Sequence, residues 1–79
     1  MRTLPEISGN ALVTCLCRHW DYHLIKQIGH HVRLETVNPR FQRLTIPVRE
    51  KVTVELLMLI LKSVAAHKRV EINQLLETL

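Results

Sequence analysis

The chain has 79 residues, of which 47% are hydrophobic and 23% charged, and its formal net charge at pH 7 is +4. That length supports one domain, residues 1–79, with a small core and no deep enclosed pocket, which argues against a cofactor-dependent enzyme. The apolar content excludes a disordered chain, and the basic excess favours a polyanion or an acidic protein met on an open surface.

Residues 1–7 read as an extended lead-in containing Pro5. Residues 1–10 carry no apolar run of the signal-peptide kind, and no stretch reaches the ~18 apolar residues of a membrane span. The cytoplasm is the expected compartment, with no membrane partner. Ser8 is the expected N-cap of a first helix, with Asn10 as a second candidate. Over residues 9–20, Leu12, Val13, Leu16, Cys17 and Trp20 recur at helical spacing. Cys15 and Cys17 point in different directions on a helix and have no second pair with which to build a zinc site, so both read as small semi-buried apolar residues. Free thiols also suit a reducing compartment.

Residues 22–28 alternate, with Tyr22, Leu24 and Lys26 on one side and His23, Ile25 and Gln27 on the other. Neither side is cleanly apolar, so which one faces the core stays open. Gly29 breaks the run and suits a tight turn, because it reaches positive φ without steric cost. Residues 31–36 alternate more clearly: Val32 and Leu34 point one way, and His31, Arg33 and Glu35 the other. Asn38-Pro39-Arg40 signals a turn. Residues 42–48 place Leu44, Ile46 and Val48 inward and Arg43, Thr45 and Pro47 outward, with Pro47 marking a strand end or an edge.

Thr53 is the expected cap of a second helix over residues 54–67, with Leu57, Ile60, Leu61 and Val64 as its core stripe. Residues 71–79 form a short last amphipathic segment through Ile72, Leu75, Leu76 and Leu79. The expected fold class is α+β: an α-β-β-β-α sandwich with a three-stranded antiparallel sheet, helices on one face, the other face open, and a short C-terminal helix. Double-stranded-RNA-binding domains (dsRBDs) share that plan.

A histidine just past the Gly29 turn suggests RNA chemistry. Imidazole is the one side chain whose unperturbed pKa lies near neutrality, and at the edge of an open sheet it suits RNA, which supplies its own 2′-OH nucleophile. Acid–base help of this kind is worth roughly 10²–10⁴-fold. His31 shares the polar side of its strand with Arg33, and Lys26, Arg33 and Arg43 are candidate phosphate contacts. His30 and His31 do not suit a metal site, since adjacent strand residues point to opposite faces. The plainer alternative for His31 is a turn histidine bonded to backbone; His19, His23 and His67 read as solvated.

The second helix is apolar nearly all round over residues 56–61. Leu56 and Leu59 fall off its core stripe and are expected to form an exposed face for a protein partner or for self-association.

Several pieces resemble the HicA (YcfA-like) family of small toxins from type II toxin–antitoxin pairs, over roughly residues 4–79. Leu4-Pro5-Glu6-Ile7-Ser8-Gly9 resembles the opening before helix one, and Tyr22 stands where the family places an aromatic. Lys26-Gln27-Ile28-Gly29-His30-His31 resembles its basic, Gly-Ser-His signature. Leu44-Thr45-Ile46-Pro47-Val48 is similar to the third-strand motif, and Leu57 with Ile60-Leu61-Lys62 to the second-helix motif. The resemblance implies a dsRBD-like fold and an mRNA interferase, an endoribonuclease that uses no metal or cofactor. It implies His31 as the catalytic histidine, Gly29 as the shaper of the turn, and a HicB-type antitoxin that covers the histidine. His30 replaces the signature serine; it either takes over that residue's donor role toward RNA or lies at the surface. Asp21, Arg49, Glu55-Leu56 and Ala65 also depart from the family pattern. These departures carry the alternative expectation, a catalytically weakened or inactive relative acting as an RNA-binding or protein-interaction module.

Overall fold

Ser8 opens the first helix as its sequence suggests: its hydroxyl accepts a hydrogen bond from the Ala11 amide, and helix α1 runs Gly9–His19. Trp20 closes α1 as its C-cap. The computed structural model describes residues 6–48 and 51–79. Most of the expected lead-in, residues 1–5, and Arg49 lie outside the described residues. Three strands follow, β1 His23–Ile28, β2 His31–Thr36 and β3 Gln42–Pro47, then α2 Val54–Lys68 and α3 Ile72–Leu76. The strands form one antiparallel sheet in the order β1-β2-β3. The molecule is therefore the expected α-β-β-β-α arrangement with a short last helix.

The inner face of the sheet is set by β2, where Val32, Leu34 and Thr36 are buried and the alternating His31, Arg33 and Glu35 are not. Val32 and Leu34 pack with Leu12 and Leu16 of α1, Ile46 of β3, and Leu57, Ile60, Leu61 and Val64 of α2 in one continuous core, which Leu75 and Leu76 of α3 complete. Burying such side chains contributes roughly 1.5–3 kcal/mol each, which is how a chain this small offsets its conformational entropy. Thr53 caps α2 by accepting from the Leu56 amide, and Arg69, in the left-handed region at φ 57°, ends it.

Strand β1 departs from simple alternation. His23 pairs with Glu35 and Leu24 with Leu34, but Lys26 pairs with Arg33, because Ile25 is an extra residue in a β-bulge. A bulge resets the side-chain period by one. Lys26 therefore leaves the side it would share with Leu24 and joins His23 on the outer face. The strand lies at the sheet edge, and all six of its residues are exposed.

Both cysteines are free thiols. Cys15 is buried, with its sulfur 3.2 Å from the Thr78 hydroxyl, and burial pushes the Cys17 thiol pKa up. The two second-helix residues expected to be exposed part company. Leu59 is 66% exposed, whereas Leu56 is half-buried against the core. Helical rotation explains the difference: at about 100° per residue, Leu56 flanks the stripe beside Ile60, and Leu59 stands nearly opposite it. No helix among the described residues is long and apolar enough to cross a membrane.

Candidate active site on the open face of the sheet

Gly29 and His30 form a two-residue hairpin loop between the paired residues Ile28 and His31. Gly29 has φ +57°, and a Cβ built there would meet nothing within 4 Å. Backbone conformation, not space, is what requires glycine at this point. Two hydrogen bonds hold the turn: the Gln27 amide donates to the Gly29 carbonyl at 3.1 Å, and the Val48 N–H donates to the His30 carbonyl at 2.6 Å. His30 is thus anchored through its backbone while its side chain is exposed.

His31 is the first residue of β2 and stands on the outer face, paired with Ile28 on one side and Pro47 on the other. Two residues along, Arg33 pairs with Lys26 on β1 and Thr45 on β3. Lys26, Ile28, His31, Arg33 and Thr45 line one shallow groove of about 50 Å3. Three of the expected site residues, Lys26, His31 and Arg33, therefore meet on one surface. The bulge at Ile25 is what puts Lys26 there.

Arg43 lies one step further along the same face, and a carboxylate engages it. Its Nε donates to Glu35 Oε2 at 3.1 Å, and its guanidinium lies 5.7 Å from the Phe41 ring centre. It borders the groove but does not line it. His23, opposite Glu35, is carried away from His31 by the register and lies 3.3 Å from Asp21. His67 is half-buried and contacts the Arg40 carbonyl through Nε2 at 2.7 Å, so it is not simply solvated. Among the described residues no cluster of three or more His, Cys, Asp or Glu could hold a metal ion.

Ile28 and Thr45 are the groove residues that sequence reasoning misses. Ile28 is 61% exposed although it is apolar, and because residues 22–28 show no consistently apolar side, alternation alone does not say that it faces outward beside His31. Thr45 joins through the β2–β3 register, which the alternation of β3 leaves undefined. The shape of the groove matters chemically. An open hollow of this size admits one phosphate or the edge of one base, so it suits a chain lying along the sheet rather than an enclosed small molecule. Comparison with family models, curated proteins and solved structures finds no match to this chain.

Proposed function

We propose that this protein is an endoribonuclease of the HicA toxin kind, cutting single-stranded mRNA on the open face of its sheet in the cytoplasm. The observation that carries the proposal is the shared groove: an exposed imidazole, His31, beside two cations, Lys26 and Arg33. The phosphodiester lies along Lys26 and Arg33, which hold the non-bridging oxygens and stabilise the extra negative charge of the pentacoordinate transition state. His31 takes the proton of the 2′-OH, or returns one to the departing 5′-oxygen. The 2′-oxygen attacks its own phosphorus, the P–O5′ bond breaks, and the products are a 2′,3′-cyclic phosphate and a 5′-hydroxyl. Gly29 fixes the turn that presents His31, and His30 lies beside the path of the strand. No cofactor is required by this route.

A HicB-like antitoxin is the proposed protein partner. Its support is Ile28, 61% exposed and paired with His31, at the end of an edge strand that also exposes Leu24 and Ile25. A protein that buries Ile28 would cover His31 as well. Leu59 supports a second apolar contact, with a partner or with another copy of the chain.

One observation favours the non-catalytic reading, a module that binds RNA or protein on the same face. The hydrogen bonds around this end of the sheet, Gln27 to Gly29 and Val48 to His30, leave the His31 imidazole without an orienting partner among the described residues. RNA incubated with wild type and His31→Ala in excess chelator decides between them. The enzyme cleaves, and the variant loses roughly 10²–10⁴-fold in rate with an unchanged circular dichroism spectrum. Binding without cleavage by both proteins establishes the module, and full cleavage by the variant removes His31 from the mechanism.

A further inference from the structure

A cleft of about 560 Å3 lies at the opposite end of the β1–β2 hairpin from the Gly29-His30 turn. Its volume falls within the range of small-molecule sites, whereas the groove at His31 is far below it. The C-terminal end of α1, the β2–β3 loop and the C-terminal end of α2 border this open cleft.

Its wall is tied together by hydrogen bonds. The Lys68 ammonium donates to Thr36 Oγ1 at 2.9 Å and to the Asn38 carbonyl, and sits 4.8 Å from the Tyr22 ring centre. Asp21 accepts from the Asn38 amide at 3.1 Å. Lys68 and Asp21 are thereby committed to the wall. Arg40 and Arg69 are exposed at the rim, and the ion pairs among the described residues use neither of them. Trp20 lines the cleft, its indole held by a 2.9 Å hydrogen bond from Nε1 to Thr78 Oγ1.

These groups specify a ligand. Two uncommitted guanidiniums call for a phosphate, which they can grip bidentately. A fixed indole calls for a planar ring to stack on it. We infer that this cleft binds a nucleotide through its terminal phosphomonoester and its base, at a site separate from the groove at His31. A free mononucleotide and the 5′-phosphorylated end of an RNA strand both present that group.

The only tryptophan in the chain is Trp20, so its fluorescence reports on the cleft directly. Adenosine 5′-monophosphate is expected to quench it saturably. Adenosine and inorganic phosphate alone should each bind at least about tenfold more weakly, since each lacks one half of the recognition. Arg40→Gln with Arg69→Asn should weaken the monophosphate about tenfold or more, asparagine being chosen because it tolerates the left-handed backbone at position 69. His31→Ala should leave this binding unchanged, which keeps the outcome independent of the proposed nuclease activity. A short 5′-phosphorylated oligoribonucleotide that displaces the monophosphate assigns the site to strand ends, and one that does not assigns it to free nucleotides. An absent fluorescence response together with amide NMR shifts confined to residues 26–33 would overturn the inference, as would adenosine binding as tightly as its monophosphate.

Discussion

Lys26 and Arg33 stand directly opposite each other across the β1–β2 ladder, two like charges on the outer face of the sheet. Facing like charges destabilise a sheet, so the pair costs the free protein stability. An anion lying between them removes the cost, and a phosphodiester is such an anion.

Replacing Lys26 separates stability from binding. Lys26→Gln is expected to raise stability by about 0.2–1 kcal/mol, read as an increase in Tm. The same variant should bind single-stranded RNA more weakly and lower the slope of log affinity against log salt by roughly 0.7. A less stable variant would refute the repulsion between Lys26 and Arg33, and a salt slope equal to that of wild type would show that Lys26 does not meet phosphate.

Glu35 is the opposing element. It pairs with Arg43 at 3.1 Å and neutralises a cation at the border of the groove. Glu35→Gln should tighten RNA binding by up to about fivefold, because a partly exposed pair of this kind holds about 0.2–1 kcal/mol that RNA no longer has to displace. Fluorescence anisotropy at several salt concentrations measures this, and the salt slope should steepen as Arg43 becomes available.

Gly29 tests the turn. With no atom near the missing Cβ, only the backbone at φ +57° resists a side chain. Gly29→Ala should cost roughly 1–2 kcal/mol, and Gly29→Asn less, because asparagine visits this region more readily. Chemical denaturation of the three proteins gives the order. Equal losses for alanine and asparagine would mean that contacts, not φ, set the cost.

Tyr22 predicts an alkaline limit to stability. Burial raises its phenol pKa from 10.0 to about 12. Between those values the folded protein keeps a proton that the unfolded chain has lost. The phenol's contribution is therefore complete below pH 10 and is lost as pH rises toward about 12. Lys68, against the Tyr22 ring, acts in the opposite sense, since desolvation lowers its pKa and raising pH relieves that penalty. Tyr22→Phe removes the first effect and leaves the second. Its stability at neutral pH should fall by about 1 kcal/mol with the hydrogen bond to Gln42 gone, and its loss above pH 10 should shrink. Thermal melts from pH 8 to pH 11 provide the comparison.

Local rules written into the sequence account for most of the fold. Ser8 and Thr53 mark their helices by capping chemistry that needs no distant partner. The stripe from Leu57 to Val64 and the alternation of β2 name their buried faces because one face is consistently apolar. The placing of His31 with Arg33 follows from β2 alone, since two residues apart on a strand share a side.

The rest depended on register, a relation between segments that no single segment contains. Residues 22–28 have no apolar side to declare, so nothing local reveals that Ile25 is bulged out and that Lys26 turns toward Arg33. Arg43 reads as a free cation until the pairing of β2 with β3 brings Glu35 against it. By itself the sequence determined the elements, the core and the side of the sheet on which His31 stands, because those follow from periodicity and capping. Only the tertiary structure decided which cations share the groove with His31, because a one-residue bulge and the cross-strand register choose the neighbours of every side chain on that face.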